Sequence, residues 1–272
     1  MKLIKNFEDN YNEDPIRFWD FDEYDSVKDS TKLYIGAWPD KSIKSGIPPK
    51  YFFSTEEQEW DADSTDQFIP HCDKIFTICP PNRSKREKRV YSFFPISEKI
   101  LPPILPKVYN VGYAGFAGSL FVDSIIETVT NYSDYRYISF ANNAGTTNID
   151  VSYSDKLSII GQTKVMVCHN RTGTGTFQLK SRAFEAAAMN CKIVIVSDND
   201  KQGDYLYSWF GAYVDNKNVI ICNISDLKES INTLLESEET SITSDIYKKY
   251  YTTEKWTNNL FRKYALHSNN NN

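Results

Sequence analysis

The chain has 272 residues, 40% of them hydrophobic, 14% aromatic and 25% charged, which excludes a disordered or fibrous protein and leaves room for two domains of roughly 150 residues or less. Thirty-one basic residues against thirty-six acidic ones give a net charge of −5, which excludes a nucleic-acid binder working through overall charge. Residues 1–30 alone carry nine Asp/Glu against four Lys/Arg and account for that excess.

In chain order, the first hundred residues predict strands at Leu33–Ala37, Lys50–Ser54, Lys74–Cys79 and Val90–Phe94, joined by turn-rich or acidic connections. Pro95, Pro102, Pro103 and Pro106 then crowd twelve positions, and prolines at that density favour extended backbone. A linker is expected at 97–107, between a reduced domain at 1–96 and a second domain at 108–240. The second domain predicts strands at Tyr109–Tyr113, Tyr135–Ala141, Lys164–His169, Lys192–Ser197 and Val219–Cys222. Helices are expected between and after them at about 119–130, 153–161, 179–189, 201–210 and 225–236. Strand and helix in alternation predict an α/β fold with a parallel, doubly wound sheet. A polar-aromatic helical segment at 241–266 and a Ser/Asn tail at 267–272 complete the chain.

Five cysteines without a C-x-x-C pair fit neither a disulfide framework nor a zinc site. The N-terminus turns acidic before an apolar run forms, and apolar runs elsewhere stop at four or five residues, far short of the ~20 needed to span a bilayer. The expectation is a soluble, cytoplasmic protein with no membrane span.

Ligands of open α/β sheets sit beyond the carboxyl ends of the strands. Gly112-Tyr-Ala-Gly115-Phe116-Ala117-Gly118-Ser119 follows the first strand of the second domain, and His169-Asn170-Arg171-Thr-Gly173-Thr-Gly175-Thr176 follows the third. Five of the eleven glycines fall in these two loops, each of which leads into a predicted helix. Glycine lets backbone N–H groups approach an anion, and a helix N-terminus adds positive charge, so two such loops suit the two phosphates of one nucleotide. The alternative is a pair of ordinary tight turns. Beyond the second loop, Lys180 is expected in the first helical turn, with Arg182 and Glu185 three apart on one face. There Lys180 and Arg182 suit phosphate, while Glu185 suits ribose hydroxyls. A solvent-side ion pair is the plainer alternative.

Lys180-x-Arg182-x-Phe184-Glu185-Ala186-x-Ala188, followed by a turn and a Val/Ile strand, resembles the C-terminal nucleotide-binding half of GT-B glycosyltransferases, in particular the group that includes the CgeB-like spore maturation proteins. The likeness covers about residues 108–225, with Gly112–Ser119 in the place of the first phosphate-facing loop. It implies two Rossmann-like domains facing across a cleft, a nucleotide-diphosphate sugar as donor, no obligatory metal and no cofactor. It also implies a ribose role for Glu185 and a diphosphate role for Lys180 and Arg182. Phe177 stands where many retaining members carry a second glutamate, so a retaining mechanism is not carried over. Asp61-Ala-Asp63 has the spacing of a metal-binding pair but lies in an acidic run, where it reads as coincidence.

For the acceptor side, Glu56 and Glu57 end a predicted strand, where one carboxylate can serve as general base and its neighbour raises its pKa. They open a stretch with six acidic positions between 54 and 66, which also reads as a solvated loop. His169, beside the second glycine loop, is the catalytic histidine candidate. Arg83, Lys85, Arg86, Lys88 and Arg89 against Glu87 form the one dense basic cluster, suited to phosphate backbones or acidic glycans. Some relatives of the fold modify hydroxymethylated DNA bases, so the acceptor is expected to be a glycan or such DNA. The overall expectation is a metal-independent glycosyltransferase. A catalytically silent nucleotide-sugar-binding module is the alternative. A nicotinamide dehydrogenase is disfavoured because no G-x-G-x-x-G follows the first strand of the second domain.

Overall fold

The computed structural model describes residues 2–5, 32–36, 51–54, 73–78, 88–115, 117–138, 153–171, 177–261 and 263–264. The chain divides into two compact units. One comprises residues 1–100, 174–179 and 251–272, and the other comprises 101–173 and 180–250. The division falls between Ile100 and Leu101, and the 241–266 segment is shared between the units at Tyr250/Tyr251.

The first unit holds a five-stranded parallel sheet in sequential order: β1 (Lys2–Lys5), β2 (Lys32–Gly36), β3 (Tyr51–Ser54), β4 (Lys74–Thr77) and β5 (Arg89–Tyr91). Strand β1 was not expected from the sequence. Tyr51, Phe53, Ile75, Phe76 and Val90 are buried, and Tyr51, Phe53 and Phe76 pack against aromatic rings from the C-terminal end of the chain. A short helical turn at Thr253–Lys255 runs into a π-helical turn at Trp256–Phe261. Trp256 lies 5.2 Å from Phe76 and 5.7 Å from Phe261, centroid to centroid, and its indole Nε1 donates to Ser92 Oγ at 2.7 Å. A buried indole needs that partner, because an unpaired N–H would offset part of the ring's burial. The unit is closed by backbone bonds from Thr253 N to Ile96 O and from Leu179 N to Ile78 O.

The second unit is the doubly wound one. Its parallel sheet runs β10 (Val219–Cys222), β9 (Lys192–Val196), β8 (Thr163–His169), β6 (Tyr109–Ala114), β7 (Tyr135–Ile138). The inner strands carry Val/Ile runs buried on both faces, as a sheet covered by helices on two sides requires. One face packs Val111, Val165, Val167 and Val194 beneath α1 (Leu120–Thr130) and a later helix, α5 (Leu227–Glu236). The other face receives α2 (Tyr153–Gly161) and α3 (Ser181–Ala188), and α6 (Thr243–Tyr250) packs against α3. Small residues at Ala183, Ala186, Ala187 and Ala188 let α3 lie close against this face. Helix α4 (Asp200–Asp215) runs past its expected end at 210, since Phe210 and Tyr213 continue one buried stripe through Gly211. No described helix is long and apolar enough to cross a membrane.

The two parallel sheets bear out the expectation of an α/β chain with two Rossmann-like sheets. In the second, β6 and β8 are neighbours while the chain leaves them in opposite directions, to β7 on one side and β9 on the other. That pair is the switch point, where the carboxyl ends of the strands leave a crevice.

Candidate functional site

Both loops singled out in the sequence leave the switch point, but they are built differently. The β6 loop turns its polar groups inward. Gly115 N donates to Ile138 O at 2.9 Å, and Gly118 N donates to Asp123 Oδ1 at 3.3 Å. Ser119 is the N-cap of α1, its hydroxyl accepting from Val122 N at 3.3 Å. These glycine N–H groups and this hydroxyl are therefore occupied within the protein. Gly118 sits at φ +120°, a backbone region that a side chain would strain. Gly115 permits a close approach. A Cβ there would come within 2.5 Å of the Tyr113 hydroxyl and 3.4 Å of Arg182 Cζ. Ala117 is half-buried. Phe116 lies outside the described residues.

The β8 side carries the charge. Arg171, Lys180 and Arg182 all act on His169, the last residue of β8. Burial, then Arg182, Lys180 and Arg171, push the imidazole down to about 3, so the ring is neutral at physiological pH. Its tautomer follows from its partners. The Arg171 backbone N–H donates to Nδ1 at 3.2 Å, which places the ring proton on Nε2, 3.0 Å from the Tyr113 hydroxyl. Tyr113 stacks on His169 and on Tyr137, each at 5.9 Å between centroids, and burial raises its phenol to about 12. His169 is thus a neutral group held between an aromatic floor and three cations. His169, the catalytic histidine candidate of the sequence, has both ring nitrogens engaged in hydrogen bonds within the protein.

Asn170 is 3% exposed; its Oδ1 accepts from Lys180 N at 2.8 Å, while its Nδ2 has no partner. Arg182 Nε is likewise buried without a partner. Lys180 is the N-cap of α3 and supplies no side-chain cap, in contrast to the Ser119 cap on α1. An uncapped helix N-terminus beside cations and unpartnered donors attracts an anion. The guanidinium of Arg171 lies 5.3 Å from the Phe121 ring and 3.9 Å from Asp198. Thr176 and the glycines of the second loop lie outside the described residues.

Glu185 corrects the expectation made for it. It is fully buried, and Lys156 Nζ meets both its oxygens, at 3.0 Å from Oε1 and 2.9 Å from Oε2. The Ser181 hydroxyl donates to Oε1 at 3.1 Å. A carboxylate so held ties α2 to α3 and does not stand open to ribose hydroxyls. Lys156 and Ser181 were not foreseen, and neither was Tyr113. The signal for Tyr113 was its place in Gly112-Tyr-Ala-Gly115, an aromatic between glycines at a strand's carboxyl end.

Of the acceptor-side candidates, Glu56, Glu57, Arg83, Lys85 and Arg86 lie outside the described residues. Lys88 is half-buried and its carbonyl accepts from Ile75 N at 2.7 Å. Arg89 opens β5 at 8% exposure, so it is a strand residue rather than part of an exposed cationic face. Among the described residues no cluster of His, Cys, Asp and Glu is arranged to hold a metal ion. Cys168, Cys191 and Cys222 are unpaired, and burial raises all three thiols, Cys191 to about 11.

No family model and no curated protein matches the chain, so the likeness to the CgeB-like group rests on the Lys180–Ala188 motif alone. A solved structure, that of CalG4, the calicheamicin glycosyltransferase, is similar at 8% identity over 91% of this chain and 77% of that one, with a TM-score of 0.38. A likeness of that size carries no argument. The α/β architecture stands on the chain's own two parallel sheets.

Proposed function

We propose that the chain is a glycosyltransferase that takes a sugar from a nucleotide-diphosphate donor and passes it to a hydroxyl of a glycan or of modified DNA. One observation carries the reading. Arg171, Lys180 and Arg182 converge on the carboxyl end of β8, at the switch point, beside an uncapped α3. In this proposal the diphosphate lies on the β8–α3 side, within reach of Arg182 and of the unpartnered Nδ2 of Asn170. As the bond between the anomeric carbon and the phosphate oxygen breaks, negative charge grows on the departing diphosphate. Cations fixed before the reaction stabilise that growing charge more than they stabilise the bound donor, which is the condition for accelerating transfer. The neutral Tyr113–His169 pair serves as an uncharged floor and adds no anion to repel the leaving group. Glu185 takes no part in binding the donor in this account.

The second reading, binding without transfer, is favoured by His169, whose two ring nitrogens are both engaged within the protein. A calorimetric panel of nucleoside diphosphates and their sugars tests the shared part of both readings. The proposal expects diphosphates to bind at least tenfold more tightly than monophosphates, because the second phosphate meets further cations. Equal affinity for the two, or no binding, overturns it. Transfer to a glycan or to hydroxymethylated duplex DNA, scored by mass, then separates enzyme from silent module.

A further inference from the structure

At the far edge of the second unit's sheet, away from the switch point, β10 has no outer neighbour among the described residues. In a parallel ladder, alternate residues turn their N–H and C=O to the same side. Asn218 O accepts from Ile193 N and Cys222 O accepts from Ser197 N, so Asn218, Ile220 and Cys222 face β9. Val219 and Ile221 therefore turn their backbone groups away from β9; Val219 is buried, and Ile221, half-buried, is the one whose outward groups a partner can reach. An edge of this kind is usually blunted by a lysine, a proline or a bulge within the strand. Val219-Ile-Ile-Cys222 carries none of these.

The edge forms the floor of a cleft of about 920 Å³ walled by α4 and α5. Asp200 and Asp204 stand on the α4 wall, and Asp226 and Glu229 on the start of the α5 wall. All four are exposed, and none is paired with a lysine or arginine among the described residues. Among the described residues, Lys217 is the single cation lining the cleft. The apolar contribution comes from Val214, Ile220 and Leu234.

We propose that this edge is a docking strip for an extended basic polypeptide, which adds to β10 as a sixth strand and sets Lys or Arg side chains against the two carboxylate walls. The outward backbone groups of Ile221 give affinity without sequence, and the walls choose the charge of the partner. A second copy of this chain is disfavoured as occupant, because two like acidic clefts meeting edge to edge would repel. The proposal stands apart from the switch point and does not depend on the donor reading.

The test uses the full chain and three fluorescein-labelled octapeptides, followed by anisotropy at low and physiological salt. One alternates Val and Lys, one alternates Val and Glu, and one is the Val/Lys peptide with alternate backbone nitrogens methylated. Binding is expected only for the first, with methylation weakening it at least ~tenfold, since it removes the strand-pairing donors. Asp204→Asn with Glu229→Gln is expected to weaken it by about tenfold and to reduce its salt sensitivity. Ile221→Pro, which keeps the β9 ladder and removes one outward donor, should abolish it while the melting temperature stays close to that of the parent. If Ile221→Pro melts early, the methylated peptide alone decides. Equal binding of the methylated peptide, equal binding of the Val/Glu peptide, or no binding of the Val/Lys peptide each overturns the proposal. Sedimentation as a dimer that Ile221→Pro dissociates would also overturn it, in favour of a second copy as occupant.

Discussion

Arg182 is where the electrostatic account is most exposed to experiment. Its Nε is buried without a hydrogen-bond partner, and its Cζ lies 3.4 Å from the position a Cβ on Gly115 would take. Arg182→Ala therefore removes a charge without orphaning a protein acceptor. The free protein should lose little beyond stem packing, about 1 kcal/mol, which for a chain of this size shifts the melting temperature by roughly 2–4 °C. Binding should respond far more. A hydrogen bond to a charged group contributes about 1.5–3 kcal/mol, so nucleoside-diphosphate affinity should fall by roughly ten- to one-hundred-and-fifty-fold. A third effect is independent of any ligand. Arg182 is the largest charge holding His169 low, so its removal should raise the imidazole pKa. Calorimetry reads the first two effects, and proton NMR of the imidazole, assigned with His169→Gln, reads the third. Diphosphate affinity within twofold of the parent, with the fold intact, would remove Arg182 from the site. An unmoved His169 titration would refute the arrangement of charges on which the donor reading rests.

Three further outcomes follow from the same structure. The fold holds His169 neutral down to about 3, while the unfolded chain protonates near 6.5, so its contribution is complete above 6.5 and is lost as pH falls toward 3. Urea denaturation between pH 7 and 5 should lose up to about 1.4 kcal/mol per pH unit from this group, and His169→Gln should remove that part of the slope; an identical slope in both proteins contradicts the burial argument. Lys156→Met leaves the Glu185 carboxylate buried without its cation and should cost about 3–5 kcal/mol, with Lys156→Met/Glu185→Leu recovering much of it; a cost under about 1 kcal/mol would return Glu185 to the list of donor ligands. Trp256→Ala should cost about 3–5 kcal/mol in chemical denaturation, because it empties the contact with Phe76 and Phe261 and removes the indole donor to Ser92 Oγ; a loss below about 1 kcal/mol would mean the C-terminal segment does not close the first unit.

The second unit was legible in the sequence because its inner strands, Thr163–His169 and Lys192–Val196, are buried on both faces and carry Val/Ile-rich apolar runs. Val219–Cys222 coincides with its expectation, and Lys192–Val196 and Tyr109–Ala114 differ by one residue. In the first unit, β1 was missed because Lys2-Leu-Ile-Lys5 is short and lysine-flanked, with an apolar pair too brief to mark a strand. The place of Trp256 in the first unit was not legible, since nothing in a polar-aromatic helical pattern says which sheet it will cover. The places of Asn170 just past β8, Lys180 at the N-cap of α3 and Arg182 in its first turn followed from strand end and helix phase. Glu185 went the other way. Its helical face was read correctly, but Lys156, 29 positions earlier, takes the carboxylate, and a partner that distant leaves no trace in local spacing. In the β6 loop the partner is local: Asp123, five residues on, accepts from the Gly118 N–H that was expected to meet a phosphate.

The most direct measurement is the release of nucleoside diphosphate from a panel of nucleotide sugars, followed by phosphorus NMR with the parent protein and with Arg182→Ala. The account predicts slow hydrolysis of at least one donor by the parent and a loss of roughly ten- to one-hundred-and-fifty-fold in Arg182→Ala, as the lost charge-assisted hydrogen bond implies. Donors that bind yet stay intact with the parent at every pH between 6 and 9, or that are cleaved equally well by Arg182→Ala, would contradict it.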